Sequence, residues 1–411
     1  MTLVETPVEN SQDEKLDTVQ QRLTDIKNAI CDAVIDTRGV QAVVSEDHKT
    51  GDVNNNVVLR SNTKDGEVRF NILSGAHQQL ADRISIPKKY YDRMLTGQPA
   101  LLAENINTWF RAEPEERLFR LLRPVTEDQQ ETAVQVGTHF RARAILSSSY
   151  RPIDNHELLQ QIVTPVVEAG AKVSEFDISD RNFHIRFTGV DRSIQAVIDE
   201  VKLRNPNQPA HSCNLNEIVS FGVSVRNSET GHGALVVEPV VEILRCINRY
   251  VQQQFLRLIH AGAKNEAENF QISDEAARFD DGGAYLKARD AVVAAFDEQA
   301  ELTAIKAIGD AYDVPIVLPQ KLPLLEFVGN VGRRFDFTDQ QVDMLQDEFL
   351  SEVELQGRRT QWGLGQAVTA VARRSLDEGL VDFNRKAEIE TFGWKVLGDP
   401  LTKLIDECSK N

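Results

Sequence analysis

Cysteine is scarce in this chain of 411 residues. The four present, Cys31, Cys213, Cys246 and Cys408, lie far apart, with no C-x-x-C and no histidine partner at ligand spacing. That excludes a disulfide scaffold and a zinc ribbon, and it points to a reducing cytosol. Long hydrophobic runs are missing too, none approaching the ~18 apolar residues of a membrane span, so no membrane partner is expected. The opening "MTLVETPVENSQDEKLD" has neither a basic n-region nor an apolar h-region. It is not a signal peptide, and the expected location is the cytoplasm.

The common catalytic signatures are absent as well. No G-x-x-x-x-G-K-[ST] cradles a phosphate, no H-E-x-x-H holds zinc and no G-x-S-x-G presents a serine; "GNVGRRF" has glycines at the wrong spacing. Two weak enzyme patterns remain. Glu200-Val201-Lys202, with Asp191 upstream, has the E-x-K spacing of some metal-dependent nucleases, a short match common by chance. His232 in "ETGHG" would serve as a general base only with an orienting partner. The reading is therefore of a non-enzymatic protein, with no catalytic residue, no metal ligand set and no cofactor.

Charge of one sign is in surplus. The formal net charge is −17, which speaks against a simple basic nucleic-acid binder. The surplus is uneven, however. Residues 132–262 hold 13 basic and 13 acidic side chains, whereas 263–411 hold 17 and 28. Six of the eight histidines fall in the middle third, and from Thr132 to Ile153 no acidic residue occurs.

The 41% hydrophobic content is enough to fill the cores of two or three domains. Residues 1–14 read as a disordered acidic tail. Leu16, Val19, Leu23, Ile26, Ile30 and Ala33 repeat at 3-4 spacing and predict a helix stopped by Gly39. It either packs on its own domain or makes a short oligomer contact. "VNNNVVLR" and "GEVRFNI" predict strands around the turn "NTKDG", followed by helices over "SGAHQQLADRIS" and "PKKYYDRML". In the centre, 139–146, 182–187 and 220–226 alternate with period 2. If they share one sheet, Phe140, Phe183 and Phe221 lie on its buried side. The open side then displays Arg141, Arg143, His184, Arg186 and Arg226.

"DNHELLQQIVTPVVEAG" predicts a helix capped by Asp154 or Asn155, so the polar cluster at its start reads as capping rather than catalysis. After a hairpin loop, "RNSETGHG", and a return strand, "ALVVE", Pro239 opens a predicted helix over 239–260. Its apolar stripe runs from Val240 to Leu258; Arg245, Arg249, Gln252 and His260 lie opposite, with Arg257 beside them. That face either meets phosphate or pairs within the chain, for instance with the acidic C-terminal third. The remainder is read as helical around a Pro-rich connector, "DVPIVLPQKLP".

The expected fold class is α+β: a central antiparallel sheet with one basic face packed on helices, followed by a mostly helical acidic C-terminal region. Its parts are the tail over 1–14, an N-terminal α+β region over 15–131, a central sheet-plus-helix domain over 132–262, and an acidic helical region over 263–411.

"ILSSSYRPIDNHELL", "VSVRNSETGHGALVVEPVVEILRCINR", "RLIHAG" and "TQWGLGQAVTAVARR" together resemble a phage/plasmid-like family catalogued as a domain of unknown function, number nine-three-two. "SGAHQQLADRISIPKKYYDRM" resembles its upstream segment, so the similarity covers roughly 70–405. Arg249 and Gln366 stand where members often carry Gly and Asn. The resemblance implies a gene of phages, prophages and plasmids acting in a bacterial host; it implies no reaction.

Two functions follow as expectations. One is binding, with annealing a further option, of single-stranded nucleic acid in phage or plasmid DNA metabolism, as a monomer or in a homo-oligomeric ring or filament. Arg141, Arg143, Arg151, His184, Arg186, Arg226, Arg245 and Arg249 would track the backbone, with Tyr150 stacking on bases. The other is host takeover or anti-defence, the acidic surface capturing a basic host protein.

Overall fold

The computed structural model describes residues 12–45, 53–63, 66–123, 139–193, 218–243, 248–252, 255–259, 274–312, 314–356 and 359–408. Helix α1 (Gln12–Ala29) leads directly into a six-stranded sheet. Its strands are β1 (Ile30–Asp36), β2 (Val40–Val44), β3 (Val57–Thr63), β4 (Gly66–Ile72), β5 (Glu116–Leu122) and β6 (His139–Ser147), in the order β1-β5-β6-β4-β3-β2. Neighbours are antiparallel except the β4–β6 pair. Helices α2 (Ser74–Arg83), α3 (Lys88–Gly97) and α4 (Pro99–Ala112) cover one face, packing Leu80, Tyr91, Leu102 and Phe110 on Leu59, Phe70, Phe119 and Ala142.

Helix α5 (Asn155–Glu168) connects to a second, antiparallel sheet of β7 (Lys172–Ile178), β8 (Phe183–Ser193), β9 (Ile218–Asn227), β10 (Leu235–Ile243) and β11 (Asn248–Val251), in the order β11-β10-β9-β8-β7. The short β12 (Leu256–Leu258) also pairs with β10. Its apolar face packs on α1, α5 and α6 (Asp274–Ala295) through Val19, Leu158, Ile162, Ala288 and Val292. Then come α7 (Glu298–Tyr312), α8 (Leu324–Arg334), α9 (Asp339–Gln356), α10 (Gln361–Asp377), α11 (Phe383–Gly398) and α12 (Leu401–Cys408). Helices α8–α12 bury Phe327, Val331, Leu345, Phe349 and Val368 in a core of their own. The molecule is thus α+β, with two sheets packed on helices and a helical C-terminal stretch, the fold class expected.

Four local expectations are corrected. Helix α1 starts at Gln12, inside the expected tail, and ends at Ala29, because "ICDAVID" joins β5 as an edge strand. The helix expected over 239–260 is instead β10, β11 and β12. All nine residues of β10 are buried; a strand covered on both faces loses its alternation, so its apolar residues fall by chance at helical spacing. Pro239, which has no N–H to give, lies in β10 between the stretches that pair with β11 and β12.

The three central strands do not share a sheet: β6 belongs to the first, β8 and β9 to the second. Nor does β6 alternate throughout. Arg120 pairs with Ala144 and Leu121 with Ala142, so Arg143 is the extra residue of a β-bulge. Beyond it, Ile145 enters the helix-side core, while Ala144 and Leu146 face Leu118 and Tyr150 on the other side.

Candidate nucleic-acid interface

The arginines expected on one basic face are mostly consumed by carboxylates. On the second sheet, register places Glu175, Arg186, Ser224 and Glu238 on neighbouring strands of one face, with Glu242 opposite Arg249. Arg186, fully buried, binds Glu390 of α11 at 2.5 Å and Glu175 at 3.3 Å. Arg249 binds Glu175 at 2.6 Å and Glu242 at 3.1 Å; Lys386 adds a third cation to Glu175 at 2.6 Å. Arg226 donates to Glu238 at 2.8 Å. Glu175 lies on one edge strand and Arg249 on the other, which a flat sheet would hold about 19 Å apart, so the sheet coils until its edges meet through side chains. Burial opposes ionisation of Glu175, yet Arg186, Lys386 and Arg249 hold its carboxyl well below the usual range.

His184 is equally enclosed. Its Nε2 lies 3.1 Å from Ser224 Oγ, and its ring packs on Phe383. Burial first, and then Arg186, push its imidazole well below the ordinary value. With both His184 and Ser224 buried, the pair is a fixed strut rather than an accessible nucleophile and base.

Arg143, Tyr150 and the "RNSETG" stretch form a second buried network, which joins the sheets. Arg143 donates to Glu229 Oε2 at 2.8 Å, and Glu229 Oε1 accepts the Asn155 N–H at the start of α5 at 2.7 Å. Asp154 sits at the N-cap without accepting from the helix; its carboxylate takes Arg120 at 2.9 Å. Capping therefore comes from a residue 74 positions away, which local spacing could not disclose. Arg120 also reaches Asp32 at 3.0 Å and the Glu229 carbonyl at 3.0 Å. Tyr150 donates to the Ser228 carbonyl at 3.1 Å and is not presented for stacking. Gly231, at φ +78°, turns the chain where a Cβ would meet Leu146 at 2.7 Å.

Arg151 is half-buried, and Arg245, like the Glu200–Lys202 pair, lies outside the described residues. Among the eight described of the nine residues expected to meet nucleic acid, Arg141 is the exposed one. Structure gives it new company. Arg60 lies directly opposite Arg69 in the β3–β4 hairpin, and Asn71 lies beside Arg141 across the β4–β6 pair. Register puts all four on the face opposite the one that α2–α4 cover. Glu67 stands 3.2 Å from Arg69 and 3.7 Å from Arg60. Arg60 Nε is buried without a hydrogen-bond partner among the described residues.

Like charges directly opposite each other destabilise a sheet, so the Arg60–Arg69 pair sharing Glu67, with Arg141 on the next strand of the same face, makes a face suited to an anion. The sequence carried a usable signal. Thr63 pairs with Gly66, and the same hairpin register pairs Arg60 with Arg69.

Among the described residues no three His, Cys, Asp or Glu side chains gather in a way that could hold a metal ion. No described helix is long and apolar enough to cross a membrane. Compared with known proteins, the chain matches no family model, no curated protein and no solved structure.

Proposed function

We propose that the protein binds single-stranded nucleic acid, through phosphate contacts from Arg60, Arg69 and Arg141, in phage or plasmid DNA metabolism within a bacterial cytoplasm. The observation that carries this reading is the cross-strand Arg60–Arg69 pair, with Arg141 beside it and Glu67 as the shared carboxylate. Phosphate contacts position a strand without reading its sequence, so binding is sequence-tolerant. The resemblance to the phage/plasmid-like family supplies the setting.

The test is fluorescence anisotropy with labelled oligo-dT and an unstructured RNA over a salt series. Each phosphate contact on a single strand contributes a log–log slope of about −0.7, so three give roughly −2. Arg60→Gln should weaken binding severalfold and leave stability nearly level, because relief of the like-charged Arg60–Arg69 pair offsets the loss of the Glu67 ion pair, each worth ~0.2–1 kcal/mol. Folded protein that ignores both oligonucleotides at low salt overturns the proposal. A second reading, capture of a basic host protein, rests on the exposed stripe of Asp339, Asp343, Asp347 and Glu354 along α9. Neutralising that stripe would then remove binding to the host protein, while nucleic acid is ignored throughout.

A further inference from the structure

Exposed sheet edges are templates for pairing, and proteins usually block them. Three of the four edges here are blocked visibly. On β2, the outward N–H of Ala42 donates to Asn107 Oδ1 at 2.7 Å, and Asn107 Nδ2 donates back to the Ala42 carbonyl at 2.8 Å. The side-chain amide thus takes the place of a neighbouring strand. Along β7 runs α1, with Lys15 Nζ on the Ser174 carbonyl and Arg22 over the Phe176 ring. On the far side of the second sheet, Tyr250 of β11 stacks on Trp362 of α10, and β12 is only three residues long.

Strand β1 is different. Arg123 N–H donates to the Ala29 carbonyl and Thr37 N–H to the Glu115 carbonyl. Continuing that ladder, Cys31, Ala33 and Ile35 bond to β5. The N–H and C=O groups of Asp32 and Val34, with the Ile30 C=O and the Asp36 N–H, therefore point away from the sheet, and no described side chain takes them; the Ile30 N–H and Asp36 C=O serve the adjoining helical turns. The two aspartates that would ordinarily deter a partner are turned to arginines of their own chain, Asp32 to Arg120 and Asp36 to Arg38. Between them Val34 is 55% exposed.

We infer that β1 pairs antiparallel with β1 of a second copy of this chain. Charge selects the register. Outward-facing residues must meet outward-facing residues. Setting Asp32 opposite the partner's Asp32 places two carboxylates face to face. Setting Val34 opposite the partner's Val34 places Asp32 against the partner's Asp36, twice. Both arrangements are destabilising. Setting Asp32 opposite the partner's Val34 avoids every such clash: Ile30 meets the partner's Asp36, and the two Ala33 residues meet on the two-fold axis. The pairing is self-complementary, as an isologous interface requires.

Sedimentation equilibrium of the full chain should report a dimer. Val34→Pro removes only an outward N–H, leaving the β1–β5 ladder whole, and should weaken the dimer about tenfold or more, with a thermal midpoint unchanged at dilutions where both chains are monomeric. A second measurement does not depend on that variant folding. Ala33 pairs on the axis at a non-hydrogen-bonded site, where Cα atoms lie ~4.5 Å apart, within disulfide reach. Ala33→Cys on a Cys31→Ser background should form a covalent dimer on mild oxidation that the background alone does not. A monomer at ~100 µM, far above the Kd of a specific pair, overturns the inference; so does a dimer indifferent to Val34→Pro, or the absence of a crosslink in the Ala33→Cys variant.

Discussion

The guanidinium of Arg186 is fully buried and donates to both carboxylate oxygens of Glu390, at 3.3 and 2.5 Å, tying the second sheet to a helix 204 residues further along the chain. Removing one partner of such a pair strands a buried charge and costs ~3–5 kcal/mol, whereas replacing both with apolar groups is far milder. Glu390→Gln should therefore lower the urea midpoint sharply, and Arg186→Met in the same chain should recover part of the loss. If Glu390→Gln unfolds like the parent, the pair is not the tie described.

Acid should act in two steps. His184 is held neutral when folded, below its ordinary value of 6.5. Its contribution is complete above that value and is lost as pH falls beneath it, because the unfolded chain then binds the extra proton. His232, lowered by burial and by Arg181, adds to the same window. Glu175 is depressed from 4.5, so its contribution persists above that value and fades below it. Thermal midpoints should begin to fall below about pH 6.5 and fall more steeply below about 4.5. His184→Gln should flatten the first step and spare the second. A midpoint that stays constant from pH 7 to 5 would contradict the assignment.

Helices α10 and α11 cross closely. A Cβ on Gly393 would lie 2.4 Å from Thr369 Cγ2, and one on Gly365 2.6 Å from Leu397 Cδ2. Gly393→Ala should cost ~1–3 kcal/mol through overpacking. Adding Thr369→Ser removes the opposing methyl and should return much of that stability in a denaturant titration, while Thr369→Ser alone changes little.

Elements governed by local pattern were legible in the sequence: the β3–β4 hairpin, helices α2 and α3, the first half of β10 up to Glu238, and the C-terminal helices. Partners distant in sequence were not. Alternation in 139–146 could not reveal the bulge at Arg143, which depends on β5. The arginines of the second sheet were visible, but their carboxylates were not. Glu175 belongs to a strand outside the expected face, Glu238 ends the expected return strand, Glu242 falls in the first turn of the expected helix, and Glu390 lies in the acidic third. The alternative expected for Arg249, pairing within the chain, is the one found, and Arg186 and Arg226 pair in the same way. The site moved to the first sheet because Arg60 and Arg69 gain meaning only beside Arg141, across a parallel pairing that local spacing does not encode.

The turn around Glu229 also bears on biosynthesis. The first sheet is complete once Ser147 has emerged from the ribosome. Arg120, however, donates to the Glu229 carbonyl 109 residues downstream, and Arg143 takes its counter-ion from the same residue. At ~5–20 residues per second this is a wait of roughly 5–20 s. During it, the nascent sheet holds two guanidiniums on a face still open to water, and its final closure is timed by translation of the second sheet.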